Sequence, residues 1–181
     1  MTDQEIIDCV LEGDRAAFDE LVRRYQDSVY RMALRRTRCD RDAEDVAQEV
    51  FLNVYRRLAT FRGSAKFTTW LYRITFNTCV DWVRRARRIQ TTRSPADEEY
   101  ADSRIDIAAD FFDAQERSAL GAAVSCLSEP YREVIELYYY EHLSYAEIGA
   151  ILGMAGKGVE TRLYRARRAL RRLLQEKGHE M

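Results

Sequence analysis

The residues best equipped for chemistry stand near the C-terminal end of the sequence: Lys157, Glu160, Thr161, Tyr164, Arg165, Arg168 and Arg172. At about 100° per residue they gather on one side of a helix, while Val159, Leu163, Ala166, Leu170 and Leu173 gather on the other. The chemistry available to such a stripe is recognition. Guanidinium, carboxylate, hydroxyl and phenol groups can match base edges in a DNA major groove, and flanking cations can hold phosphates. A solvated helix face could have the same composition, but the sequence just upstream favours the groove. Ser144 and Glu147 form a capping-box pattern that opens a helix, and Gly153 suits the left-handed residue that closes it. Gly156 and Gly158 then loosen the chain before the apolar period resumes. Residues 143–174 therefore read as a helix-turn-helix, with its turn near Gly153 to Gly156.

A second candidate lies at 61–88. Phe61-Arg62-Gly63-Ser64-Ala65-Lys66-Phe67 sets a glycine and small residues between two aromatics, and is expected as a short loop. The helix that follows carries Phe67, Trp70, Leu71, Ile74 and Trp82 on one stripe and Tyr72, Phe76, Val80 and Val83 on another. Such a helix is either buried between neighbours in a small bundle or an aromatic platform for bases. Arg84, Arg85, Arg87 and Arg88 at its end favour nucleic acid.

Upstream, a helix from about 42 to 58 has Val46, Val50, Val54 and Leu58 on its buried side. Its other side carries Asp42, Asp45, Gln48, Glu49, Asn53 and Arg56, which suits water or a basic partner helix. Asp42, Glu44, Asp45 and Glu49 have the chemistry to hold Mg²⁺ in a nuclease, yet they share that helix with Gln48 and Arg56. Gly156-Lys157-Gly158 lacks the spacing of a phosphate-cradling loop, and there is no dinucleotide glycine pattern, His pair on one helix face or nucleophile elbow. The reading is a non-enzyme, with no catalytic residue, metal or cofactor. Cys9, Cys39, Cys79 and Cys126 are far apart and form no C-x-x-C pair, so reduced thiols are expected.

The elements that position these residues follow from composition. Eight Gly and two Pro in 181 residues, with long 3.6-residue periods and no alternating runs, give an all-α fold. The net charge of −1 conceals an alternation: 31–90 holds fourteen bases against six acids, and 91–117 three against eight. The stretch 91–111 also loses helical period and contains Pro95, so it reads as an acidic flexible linker. Two small helical domains, 1–90 and 112–177, are expected on either side. The first contains a long amphipathic helix from Ala16 to Arg38. The second has a helix ending near Cys126, then one opened by Ser128 and Pro130 that runs through YREVIELYYYEHL. No apolar run reaches the roughly 20 residues that span a bilayer, so no membrane insertion and a cytoplasmic location are expected.

Three stretches together carry a family resemblance: DAEDVAQEVFLNVYRRL (42–58), FRGSAKFTTWLYRITFNTCVDWVRR (61–85), and LSYAEIGAILG with VETRLYRARRAL (143–170). In this order and spacing the chain resembles an extracytoplasmic-function sigma factor, a bacterial RNA polymerase initiation subunit of the sigma-70 family. The resemblance implies a sigma2-like and a sigma4-like helix-turn-helix domain. It implies that Asp45, Gln48, Glu49 and Asn53 dock on the beta-prime clamp of core polymerase, with the beta flap as a further contact. It implies minus-ten recognition and melting by the Arg62, Gly63, Ser64, Ala65, Lys66, Phe67 loop, which would pocket a flipped base. Asn77 would lie near the strand, and Arg84 and Arg85 on phosphates. The minus-thirty-five element would be read by Glu160, Thr161, Tyr164 and Arg165, with Lys157, Arg162 and Arg168 on phosphates. Glu160 stands where the family often has a basic residue, and the turn MAGKG lacks the family's common proline. The acidic linker would thread near the polymerase RNA path, and an anti-sigma factor would cover the domains. The competing reading is a stand-alone helix-turn-helix regulator with an N-terminal sensor or dimerisation bundle, which would bind its operator alone.

Overall fold

A computed structural model describes residues 1–92 and 114–178, and all regular structure among them is helical. The chain divides into two compact units, Met1–Arg104 and Ile105–Met181. The expected linker lies outside the described residues except at 91 and 92, which belong to a helix.

The first unit begins with a helix absent from the sequence reading, α1 (Asp3–Leu11). Thr2 accepts from the Glu5 N–H at 3.3 Å and Glu5 accepts from the Thr2 N–H at 2.8 Å, which makes a reciprocal capping box. The T-x-x-E spacing is the same signal read correctly at Ser144. Ile6 and Ile7 are its buried residues. Asp14 caps α2 (Arg15–Thr37) by accepting from the Ala16 and Ala17 N–H groups, and Arg38 closes it in the left-handed conformation, φ 56°. Helix α3 spans Asp40–Arg57, and a 3₁₀ turn, Leu58–Thr60, leads into the 61–66 loop. Helix α4 spans Phe67–Thr92. The core collects Leu21, Val29 and Ala33 from α2, Val46, Val50 and Val54 from α3, and Leu71, Thr75 and Cys79 from α4.

The midsection of α4 is more enclosed than two apolar stripes imply, since Leu71, Tyr72, Ile74, Thr75, Phe76, Thr78 and Cys79 are all buried. Thr75 is tolerated there because its hydroxyl donates to the Leu71 carbonyl at 3.0 Å. Trp70, Val80, Trp82 and Val83 are half-buried.

The second unit contains α5 (Ala114–Ser125), α6 (Glu129–Ile135), α7 (Tyr145–Leu152) and α8 (Gly156–Gly178). Ser128 is the N-cap of α6 and Pro130 sits in its first turn, although the serine side chain makes no capping bond. The expected continuous helix through the tyrosines is interrupted: Glu136–Tyr140 forms a π turn, with the Glu141 N–H donating to the Glu136 carbonyl. In this wider turn Tyr138 lies 5.6 Å from Tyr145 and 5.0 Å from Tyr139 between ring centroids, so the aromatics pack on one another.

Candidate nucleic-acid interface

In the second unit the helix-turn-helix forms as its spacing requires. Ser144 and Glu147 complete the capping box, and Gly153 closes α7 at φ 67°, ψ 37°. Helix α8 starts at Gly156, so Gly156 and Gly158 belong to its first turn and the connection is Gly153–Ala155. Its tightness rests on Gly149, where a Cβ would stand 2.5 Å from the Met154 carbonyl oxygen. Val159, Leu163 and Ala166 are buried beneath α8, while Leu170 and Leu173 are only half-buried.

The opposite stripe is open. Lys157, Glu160, Thr161, Arg165, Arg168 and Arg172 are exposed, Tyr164 is 61% exposed, and Arg162 is half-buried to one side. Thr161 donates its hydroxyl proton to the Lys157 carbonyl at 2.9 Å, so it offers a partner a lone pair and a methyl group. Two cations that sequence reasoning left out flank the stripe. Arg171 is exposed, and Arg167 donates from Nε to the Tyr139 hydroxyl at 2.9 Å with its guanidinium 5.3 Å from the Tyr138 ring centroid. Both fall beside Glu160 and Tyr164 on the helical wheel, a signal present in the sequence. The partner of Arg167 was not, because it depends on the π turn.

In the first unit Phe61 and Phe67 meet edge to face, with centroids 5.6 Å apart, and bring together the ends of the loop they bracket. Trp70 packs on Phe61 at 5.5 Å and Tyr25 on Phe67 at 5.5 Å. Arg62, Gly63, Ser64, Ala65 and Lys66 are exposed above this floor, with Gly63 at φ 67°. Phe67 is buried and is the first residue of α4, so it sits below the loop as part of its support.

A groove of about 710 Å³ separates α3 from α4. Its lining includes Glu49 and Asn53 from α3 with Asn77, Arg84 and Arg85 from α4, joined by Arg88 of the expected basic cluster and by Arg57, which sequence reasoning had not picked out. Residues expected on two different surfaces are thus neighbours. Arg85 donates to both oxygens of Glu49 at 3.0 and 3.2 Å and lies 5.5 Å from the Trp82 ring centroid, while Arg84 is 4.0 Å from Asp81. Asp45 and Gln48 are exposed on the outer face of α3. Beside them Leu52 is 55% exposed, an apolar centre for this face that was overlooked although it follows Asp45 by two helical turns. Tyr55, also exposed, meets Phe18 edge-on at 5.0 Å.

Among the described residues no three His, Cys, Asp or Glu side chains gather as a metal site, and no helix is long and apolar enough to cross a membrane. The arrangement offers two cationic, hydrogen-bonding surfaces and one acidic-amide face with an apolar centre. Residues 21–89 match the model of Sigma-70 region 2, and residues 117–170 that of Sigma-70, region 4. The RNA polymerase sigma-H factor of Pseudomonas aeruginosa is 35% identical, over 96% of this chain and 94% of that protein. The ECF RNA polymerase sigma-E factor of Escherichia coli is also 35% identical, over 94% and 93%. A solved structure of CnrH in complex with the cytosolic domain of CnrY superposes with a TM-score of 0.70 at 27% identity, covering 96% of this chain and 97% of that one.

Proposed function

Because the chain belongs to the extracytoplasmic-function group of RNA polymerase sigma factors, we propose that its exposed faces divide the work of promoter-specific initiation among themselves. The chain performs no bond-making step. It is a dissociable specificity subunit that acts in the cytoplasm, where it binds core RNA polymerase and promoter DNA. Residues 1–90 serve core binding and the minus-ten element, 91–111 the connector, and 112–177 the minus-thirty-five element.

On this assignment α3 docks on the beta-prime clamp through Asp45 and Gln48 on its outer face and Glu49 and Asn53, which also line the groove. Residues Arg62 to Lys66, with Phe67 as floor, accept an extruded base, a step that requires a pocket and a stacking surface. Asn77 lies along the strand, and Arg84 and Arg85 neutralise phosphates. On α8, Glu160, Thr161, Tyr164 and Arg165 read base edges, while Lys157, Arg162 and Arg168 hold the backbone. The beta flap is a further contact of the second unit. An anti-sigma partner covering these faces is proposed by analogy with CnrH, which is bound to the cytosolic domain of CnrY.

The observation that carries this assignment is the pairing of a region 2 and a region 4 match, each on a unit with its own open cationic surface. The test is reconstitution with core polymerase followed by mapping of transcript starts. Starts should fall at a fixed distance from a common pair of promoter elements and vanish without the chain. Specific duplex binding by the chain alone, with no effect on start-site choice by core polymerase, would point to the stand-alone regulator.

A further inference from the structure

Helix α1 lies before the region 2 match, which begins at residue 21, and nothing above gives it a part in reading DNA. Its first turn is nonetheless wired to the floor of the 62–66 loop. Tyr25 donates its hydroxyl proton to Asp3 Oδ2 at 2.5 Å, and the same carboxylate accepts from Arg24 Nη1 at 3.2 Å. Arg24 in turn donates to the Met1 carbonyl at 2.9 Å and to Glu20 at 2.9 Å, so the start of α1 is fixed to α2 at several points. The ring of the tethered Tyr25 packs on Phe67, and Phe67 on Phe61 and Trp70, the rings that close and support the loop. A second side chain of α1 comes near the loop itself. Gln4 donates its amide to Asp8 at 2.8 Å, and its Oε1 lies 3.8 Å from where a Cβ on Gly63 would stand.

We propose that α1 is a positioning element for the DNA-reading loop, with Asp3 as its positioning residue: by fixing Tyr25 the carboxylate sets the aromatic floor, and Gln4 borders the loop at Gly63. The inference rests on the reading of 62–66 as the minus-ten loop. A base extruded into a pocket is discriminated by groups that must stay where the floor holds them, so a loosened floor costs discrimination before it costs folding. The Tyr25 phenol is pushed well above its ordinary value, first by burial and then by its bond to Asp3.

The experiment is promoter selection by holoenzyme from libraries randomised at both elements. The full chain carries Asp3→Ala, Asp3→Asn, Tyr25→Phe, or the loop change Arg62→Ala with Ser64→Ala. Asp3→Ala and Tyr25→Phe should each flatten the preference at the extruded minus-ten base by about threefold to tenfold, the usual net effect of one hydrogen bond. Preferences at minus thirty-five and affinity for core polymerase should not move. Asp3→Asn keeps an acceptor for the hydroxyl and should restore most of the preference. The double change Asp3→Ala with Tyr25→Phe should be no worse than either alone, since both break one link. An unchanged minus-ten preference in both single variants, with a clear change in the loop variant, overturns the positioning role alone. No change in the loop variant overturns the reading of the loop, and the inference with it. Equal loss at both elements together with a lower melting temperature would make α1 a structural brace and also overturn the proposal. Should Asp3→Ala fail to fold, Tyr25→Phe, which keeps the ring, decides by the same criterion.

Discussion

Arg85 closes on Glu49 across α4 and α3, its Nη2 lying 3.0 Å from one carboxylate oxygen and 3.2 Å from the other. One of these residues is proposed to face polymerase and the other DNA, so the two partners draw on one ion pair. The side chains are 54% and 36% exposed, and water screens such a pair to about 1 kcal/mol or less. A change at Glu49 therefore disturbs both surfaces, and Asp45 is the cleaner probe of docking. Asp45→Arg should weaken core polymerase binding at least about tenfold with an unchanged melting temperature, because reversed charge at a complementary face costs far more than exposed-site stability effects. In a double-mutant cycle on polymerase affinity, Glu49→Gln and Arg85→Ala should couple by less than about 1 kcal/mol. Unaltered affinity in Asp45→Arg removes this face from the interface.

Leu52 is the apolar centre of the same face. Large apolar side chains ringed by polar groups supply much of the energy at such interfaces. Leu52→Ala should reduce polymerase affinity about fivefold to tenfold while moving stability by under about 0.5 kcal/mol. Competition for core polymerase against the wild-type chain measures it, and equal competition would reassign Leu52 to solvent. Tyr55 is a poorer probe because its ring also packs on Phe18.

On α8 the division between base readers and phosphate holders predicts two distinct phenotypes. Glu160→Arg exchanges an acceptor suited to cytosine for a donor suited to guanine, so it should shift the preferred minus-thirty-five base; a lost base pairing of this kind is worth about 1–3 kcal/mol. Arg168→Ala should weaken binding to all sequences alike and lower the slope of log affinity against log salt by about one. Selection from a randomised minus-thirty-five library separates them. Identical selected sequences for Glu160→Arg and wild type would show that Glu160 reads no base.

Two glycines of the helix-turn-helix should differ in their tolerance of alanine. At Gly153 only the left-handed backbone resists, at a cost of roughly 1–2 kcal/mol. At Gly149 the added carbon would meet a backbone oxygen that no rotamer change can clear, and forced overpacking costs typically about 1–3 kcal/mol, with duplex binding lost as the turn opens. Thermal melts of the full chain and minus-thirty-five duplex titration should both rank Gly149→Ala as the worse.

Stability should fall at alkaline pH. Burial and the bond to Asp3 raise the Tyr25 phenol well above 10.0, and the bond to Asp40 raises Tyr30 to about 12. Above the ordinary value the folded chain keeps protons that the unfolded chain loses, so this contribution is complete below about pH 10 and is lost as pH rises through the folded values. Melting temperature followed from about pH 8 to about pH 11.5 should decline beyond pH 10, and Tyr25→Phe should flatten most of that decline. The Tyr30 ring is half-buried but its bond to Asp40 lies at the surface, where solvent screens it, so Tyr30→Phe should matter less. A flat wild-type profile would contradict the Tyr25 contribution.

Periodicity made α2, α3 and α8 legible because each buries one stripe, and α4 because both of its apolar stripes keep helical spacing, while the Ser144 capping box and Gly153 located the turn to within a few residues. Helix α1 carried its own capping box at Thr2 but is only nine residues long, and the acidic run at the start of the chain drew attention away from it. The π turn at Glu136–Tyr140 leaves no such trace: a widened turn is set by what the tyrosines pack against, Tyr145 and Arg167, which lie elsewhere in the sequence. The same holds for the groove. Each of its walls was legible as a helix face, but the meeting of Glu49 with Arg85 depends on how α3 packs on α4, which no single-helix pattern records.

The two phenylalanines at the ends of the 62–66 segment carry an implication for how such a chain can change over time. Phe61 and Phe67 hold each other at 5.6 Å, and the five residues between them bury nothing. The segment behaves as an interchangeable cartridge: with Gly63 kept for its left-handed backbone, the other four side chains can be replaced while the socket that receives them stays intact. On the proposed reading of the loop, a lineage could thus retarget its promoters by rewriting the four exposed positions around Gly63.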